Sequence, residues 1–245
     1  MYQDKLSPRY KLHKRLHKLL RDAIKDFSLI EKGDKILLAL SGGKDSIALL
    51  DLMGENMLHC NSYYSIEAIH VKVKSAIYQT DLSYLESLCY KWNIPLHIVE
   101  IELEADTHAN RTPCFLCSWN RRKTLFEAAK KLHCNKIALG HHQDDIIRTA
   151  LMNLTFNGDF STMPVRITMS KFPITIIRPL AKIQENDLKE WAKLQQYRPL
   201  RKICRYDNES NRTTIELITD VIEKINPNYR SNFWHALLKS DSLIE

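Results

Sequence analysis

Apolar positions change their period repeatedly along the chain. In residues 8 to 28, "PRYKLHKRLHKLLRDAIKDFS", Leu12, Leu16, Leu19, Ile24 and Phe27 recur at near-helical spacing with basic residues between them, which predicts an amphipathic helix. After "EKGD" the run "KILLAL" (35 to 40) is continuous rather than alternating. Strands of a parallel sheet covered on both faces read this way. "IALLDLM" then has helical character, "IEAIHV" (66 to 71) predicts a second strand, and Leu82, Leu85, Leu88 and Trp92 mark a helix that leads through Asn93 into a strand at "PLHIVEIE" (95 to 102).

A polar stretch from Ala105 to Pro113 precedes the helical composition of "NRRKTLFEAAKKL". "KIALG" (136 to 140) predicts a fourth strand, "DDIIRTALMNL" a helix, "ITIIRPL" (174 to 180) a fifth strand and "ENDLKEWAKLQQY" another helix. This alternation predicts an α/β fold with a doubly wound parallel sheet. The basic helix occupies residues 1–30, the α/β domain 31–200 and a helical tail 201–245. Without a repeat, low-complexity tract or glycine-serine linker, no second independent domain is evident.

Composition narrows the partners. Of 245 residues, 36 are Lys or Arg and 29 Asp or Glu, a net charge of +7 that suits a polyanionic partner such as nucleic acid. The basic face of the first helix either binds RNA phosphates or is a solvated surface. No apolar run approaches the roughly 18 residues of a membrane span, and no apolar secretory segment stands near the N-terminus. A soluble, cytoplasmic protein with no membrane association is the expectation. Six cysteines in a chain this long do not form the dense framework of a small secreted protein. Cys114 and Cys117 form a CxxC pair, whereas Cys60, Cys89, Cys134 and Cys204 stand alone. Cys60, Cys89 and Cys134 are read as structural; Cys89 lies on the apolar stripe of its helix.

The candidate chemistry begins at "LALSGGKDSIALL". A strand, then Ser41-Gly42-Gly43-Lys44-Asp45-Ser46, then a helix puts small residues and helix-start amides at the carboxyl edge of a parallel sheet, where phosphate oxygens bind. A tight turn with Asp45 or Ser46 as a helix cap is the alternative. A Walker A loop is excluded because Asp45, not Ser or Thr, follows Gly43-Lys44, and the spacing fails the dinucleotide fingerprint. "IALGHHQDD" repeats the strand-to-helix arrangement at Gly140. Its acid pair either complements the helix dipole or, beside His141 and His142, binds magnesium on a polyphosphate. The CxxC spacing is shared by zinc knuckles, redox disulfides and iron-sulfur sites.

Ser41 to Ser46 resembles the PP-loop of the ATP pyrophosphatase superfamily, whose members cleave ATP to AMP and pyrophosphate. "GHHQDD" resembles the matching motif of one branch, the tRNA 2-thiocytidine synthetases. The basic helix, "SGGKDS", the CxxC before an arginine pair, "KIALGHHQDDI" and "IIRPLAKIQENDLKEWA" are similar to family segments in family order, over nearly the whole chain. The resemblance implies ATP, Mg2+ and a [4Fe-4S] cluster as cofactors, and thiolation of an anticodon-loop cytidine in tRNA. It also implies a sulfur donor such as a cysteine desulfurase and admits a homodimer.

Carried onto this sequence, ATP would contact Ser41, Gly42, Gly43, Lys44, Asp45, Ser46 and Gly140, with His70 beside the nucleotide. Magnesium would sit on Asp45 and Asp145, and the cluster on Cys114, Cys117 and Cys204. Arg121, more than Arg122, would guide an RNA phosphate, and Asp45, Asp145 and Arg121 form the catalytic set. One departure stands out: the family commonly carries a second cysteine pair near Cys204, whereas this chain reads "KICRYDNES", with Asp207 as either an iron ligand or a surface carboxylate. The alternatives are another tRNA-modifying reaction of the superfamily, lysidine formation or thiolation of a different base, and a non-catalytic iron-sulfur or zinc protein that binds RNA.

Overall fold

A computed structural model of the chain describes residues 7–59, 63–74, 77–79, 81–102, 113–170, 172–203 and 211–245, and for 77–79, 113–114, 201–203 and 211–213 the backbone alone. Cys60, Cys204 and Asp207 lie outside the described residues, as does the side chain of Cys114.

The amphipathic segment forms α1 (Pro8–Asp26), started by Ser7, whose hydroxyl accepts the Tyr10 N–H, with proline in the first turn. Its buried face is Leu12, Leu16, Leu20, Ala23 and Ile24. Leu20, fully enclosed, takes the place that spacing assigned to the half-buried Leu19. On the exposed face Lys18 pairs with Asp22 at 2.6 Å, while Arg15 reaches the buried Asp187 at 2.9 Å. No helix among the described residues is long and apolar enough to cross a membrane.

The alternation of elements continues through β1 (Lys35–Ala39), α2 (Lys44–His59), β2 (Ser65–Val73), β3 (Ile77–Gln79), α3 (Leu82–Lys91), β4 (Leu96–Ile101), α4 (Pro113–Lys131) and β5 (Lys136–Ala138). The second half runs through α5 (Gln143–Asn157), β6 (Arg166–Thr168), β7 (Thr175–Ile177), α6 (Glu185–Leu194), β8 (Arg201–Ile203), α7 (Asn211–Ile225) and α8 (Tyr229–Lys239). Six strands make one sheet in the order β4-β2-β1-β5-β7-β6, parallel except for β6 at the edge. The doubly wound sheet is therefore as expected, with an antiparallel edge strand added. β3 and β8 pair antiparallel in a separate ribbon.

The unbroken apolar run of β1 has a packing cause. Ile36 and Leu38 face a core shared with α1, α2, α5 and α6, while Leu37 faces a second core with Ile69, Ile137 and α4. All three are fully buried, and each such side chain contributes roughly 1.5–3 kcal/mol through removal from water. Trp234 and Leu237 of α8 join the first core, so both terminal regions pack on the same body. The expected fifth strand keeps ladder pairing only over Thr175–Ile177, before the chain turns at Pro179 and Leu180.

Candidate active site

The site lies where β1, β5 and β7, adjacent in the sheet, end together. Beyond β1, Gly42 takes φ +85°, the left-handed region that suits glycine, and α2 begins at Lys44. The turn is stitched by Ser46, whose hydroxyl accepts the Gly42 N–H at 3.1 Å and donates to the Gly43 carbonyl at 2.9 Å. Ser41 donates to the same hydroxyl at 3.1 Å. The first-turn amides of α2 have no carbonyl four residues back within the helix, so they are aimed at this edge as anion donors.

Two contacts explain the small residues. A Cβ on Gly42 would meet Leu200 Cδ1 at 1.9 Å, and the Leu200 N–H donates to the Gly42 carbonyl at 2.8 Å. The segment entering β8 is thereby tied to the loop. A Cβ on Gly140 would stand 3.2 Å from Ser46 N and Cα, so the end of β5 presses against the first turn of α2.

The acid pair of "HHQDD" divides its work. Asp144 is buried, accepting Arg230 Nε at 2.8 Å and the Glu185 N–H at 2.7 Å. It joins α5 to α6 and α8. Asp145 completes a capping box, accepting the His142 N–H at 3.0 Å, and its side chain remains 34% exposed. The helix-capping role is thus met by Asp145, whose part-exposed carboxylate still leaves an oxygen able to take a further partner. Asp45, also half-buried, stands in the first turn of α2 with both oxygens within 3.0 Å of Lys44 Nζ, and its carboxylate, like that of Asp145, is the kind of hard oxygen donor magnesium takes.

Lys44 Nζ lies 2.9 Å from Asp45 and 3.3 Å from Glu185. Burial opposes its charge, but the two acids outweigh burial and raise its pKa. Glu185 also meets Arg148 and Lys189, each at 3.1 Å. Burial would raise its carboxyl, yet Lys189, Lys44 and Arg148 together hold it at about 2. Arg178 follows β7; its Nε donates to His141 Nδ1 at 3.2 Å and its guanidinium also bonds the Pro164 carbonyl. Burial lowers it to about 10, against the pull of Asp145. Glu185, Arg148, Arg178 and Arg230 were not selected from the sequence. Arg178 and Glu185 lie inside "IIRPLAKIQEN", the segment whose family likeness was the available signal.

On the β2 side, a cavity of about 80 Å³ brings together Ser41, His70 and Arg121, with Leu40, Val71 and Leu125. His70 Nδ1 donates to the Leu40 carbonyl at 2.8 Å, which turns the ring toward the loop. Arg121 is half-buried here, whereas exposed Arg122 bonds back to Ser118 of its own helix. Cys117, one turn before Arg121, is half-buried with a free thiol. Cys89 and Cys134 are buried instead, and desolvation pushes their thiols up to about 12 and about 11, consistent with packing roles. An iron-sulfur cluster requires accessible soft donors, and Cys117 fits that requirement.

The family described as the PP-loop domain matches residues 8–216. The tRNA-cytidine(32) 2-sulfurtransferase of Neisseria meningitidis serogroup C is 39% identical over 197 residues, 76% of this chain and 59% of that protein. The protein of the same name from Nitrosospira multiformis is 34% identical over 238 residues, 93% of this chain and 77% of its own length. The chain thus spans about three fifths of the length of relatives such as the Neisseria protein. Among solved structures, a U34-tRNA thiolase from Methanococcus maripaludis with its [4Fe-4S] cluster superposes with a TM-score of 0.71 at 25% identity, covering 91% of this chain and 77% of that one.

Proposed function

The chain belongs to the PP-loop family, and from that premise we propose that it is an ATP-dependent tRNA-cytidine 2-sulfurtransferase. The observation that carries the reading is the cavity in which Ser41 of the nucleotide loop meets Arg121, one turn along α4 from Cys117. A phosphate cradle and a thiol-bearing helix then serve one reaction centre. The tie between Leu200 and Gly42, four residues before Cys204, supports the same convergence.

Oxide is a poor leaving group, so replacing the cytidine oxygen with sulfur needs activation. The base O2 bonds to the α-phosphorus of ATP while pyrophosphate departs with the bond's electron pair. Sulfide then bonds to C2, and AMP leaves carrying the oxygen; no net oxidation occurs. The loop from Ser41 to Ser46, with the first-turn amides of α2, positions the phosphates, Lys44 offsets charge developing on pyrophosphate, and His70 borders the nucleotide beside Gly140 and the loop. Asp45 and Asp145 would hold magnesium, which when bound shares the neutralisation. Cys114, Cys117 and Cys204 would hold the [4Fe-4S] cluster, which when bound supplies sulfide-level sulfur at an iron lacking a cysteine. Arg121 guides an RNA phosphate toward the cavity.

In this reading the 1–30 segment adds basic surface for tRNA and the 201–245 segment contributes the third thiolate to the 31–200 domain. A cysteine desulfurase is the source of sulfur, and the cytoplasm is the site of action. α7 exposes Leu217, Val221 and Ile225, where a homodimer would form; sedimentation of a Leu217→Glu variant as the same species as wild type would reject that interface. A second reading, thiolation of a different tRNA base, is favoured by the likeness to the U34-tRNA thiolase.

The test is anaerobic purification of the full chain and its Cys114→Ala variant, with iron and zinc counts, then incubation with ATP, sulfide and tRNA. Wild type should hold about four irons per chain, as a [4Fe-4S] cluster requires, release pyrophosphate and form 2-thiocytidine; the variant should lose iron and product. Stoichiometric zinc in place of iron would remove the cluster mechanism, and a thiolated uridine would select the second reading.

A further inference from the structure

At the far end of α2 from the nucleotide loop, three side chains converge from two helices. His13 and His17 stand one turn apart on α1, and Glu55 faces them from α2. Their nearest ligand atoms all lie within 4.8 Å of one another. Glu55 Oε2 is 3.0 Å from His13 Nε2 and 3.1 Å from His17 Nε2. Glu55 lies eleven residues beyond Lys44, about 16 Å along a helix rising 1.5 Å per residue, so this cluster is separate from the candidate active site.

We propose that His13, His17 and Glu55 form a zinc site that clamps α1 to α2. Two histidines at i and i+4 present their ring nitrogens on one helical face, and a carboxylate as third ligand completes a common zinc donor set. In a tetrahedral site with bonds of about 2.0–2.1 Å, ligand atoms are separated by about 3.3 Å. The two separations from Glu55 are already near that edge length, so small side-chain movements admit the ion.

The rings are held for this. His13 and His17 contact each other with centroids 4.4 Å apart, and Trp191 of α6 packs on His13 at 5.5 Å. His17 is buried where α1 meets α2, so its ring is fixed beside Glu55. His59 lies 3.6 Å from Glu55 Oε1, the oxygen turned away from the paired rings.

The arrangement is open on one side. A cavity of about 630 Å³ is lined by His13 and Glu55 together with Arg9, Asp51, Lys91 and Trp191. Three protein ligands leave the fourth zinc position to a solvent molecule drawn from this cavity. The structural consequence is a cross-link between the basic helix and the element that starts at Lys44.

The experiment is a Zn2+ titration of the full chain by calorimetry with metal counting, on wild type, His13→Asn and His17→Asn. His13 is a third exposed, so its variant should fold by circular dichroism even if replacement of the buried His17 does not. Wild type should bind one zinc more than His13→Asn, or bind it more than about 100-fold tighter, with iron content unchanged. Co2+ should give tetrahedral ligand-field bands without sulfur-to-metal charge transfer at this extra equivalent, which separates it from the cysteines. Equal zinc stoichiometry and affinity in wild type and folded His13→Asn, or a Co2+ spectrum carried wholly by thiolate, would overturn the proposal. Neither readout depends on thiolation, so its failure is distinguishable from failure of the proposed activity.

Discussion

Replacing Gly42 with alanine perturbs two things that a double-mutant cycle can separate. The residue has φ +85°, and holding an L-residue in the left-handed region costs about 1–2 kcal/mol. The new Cβ would also meet Leu200 Cδ1 at 1.9 Å and Cγ at 2.2 Å, far inside the ordinary carbon separation of about 3.5–4.0 Å. Leu200 must leave its rotamer or β8 must shift, an overpacking cost of about 1–3 kcal/mol. Gly42→Ala should therefore lose about 2–5 kcal/mol, a large share of a typical stability of about 5–15 kcal/mol. Leu200→Ala, at a half-buried position, should lose about 1–2 kcal/mol by itself. It also deletes both clashing carbons, leaving only Leu200 Cβ at 3.1 Å. In urea titrations of the four proteins the double variant should be more stable than the sum of the singles predicts, by the clash energy of about 1–3 kcal/mol. Additivity within about 0.5 kcal/mol would refute the contact between loop and β8 as the reason for glycine.

Four further outcomes follow from carboxylates that the fold pairs or caps. Glu185 is held at about 2, below its ordinary 4.5, so its pairs stabilise the fold fully above about pH 4.5 and that contribution is lost as pH falls toward 2. Glu185→Gln should remove on the order of 3 kcal/mol from this acid limb in pH-dependent urea titrations, and an unchanged limb would contradict the network. Asp144→Asn should lower stability by about 3–5 kcal/mol, because it breaks a buried pair with Arg230. Asp145→Asn should cost about 1 kcal/mol and instead abolish pyrophosphate release; thermal melts and phosphate assays should show the two effects at opposite residues. Asp51→Ala should cost about 2–4 kcal/mol by urea titration, since it strands Trp92 Nε1 and Tyr197 OH, which donate to Asp51 at 2.7 and 2.6 Å.

The local parts of this protein were legible in its sequence. The unbroken apolar run of Ile36 to Leu38 announced a strand buried on both faces, because the requirement acts on consecutive residues. Gly42, Lys44 and the "GHHQDD" helix start could be read because strand, turn and cap chemistry is carried within a few positions. Other features depend on residues remote along the chain: Lys44 meets Glu185 across 141 positions, and Asp144 meets Arg230 across 86. No periodicity records such pairs. The three-residue strands β3, β6 and β8 have too few positions to display an alternation and exist because a partner strand supplies their hydrogen bonds. Likewise, which apolar residue of α1 turns inward and which carboxylate of "HHQDD" is sequestered were decided only when the neighbouring helices closed over them. Burial and ion pairing belong to the assembled surfaces rather than to either segment alone.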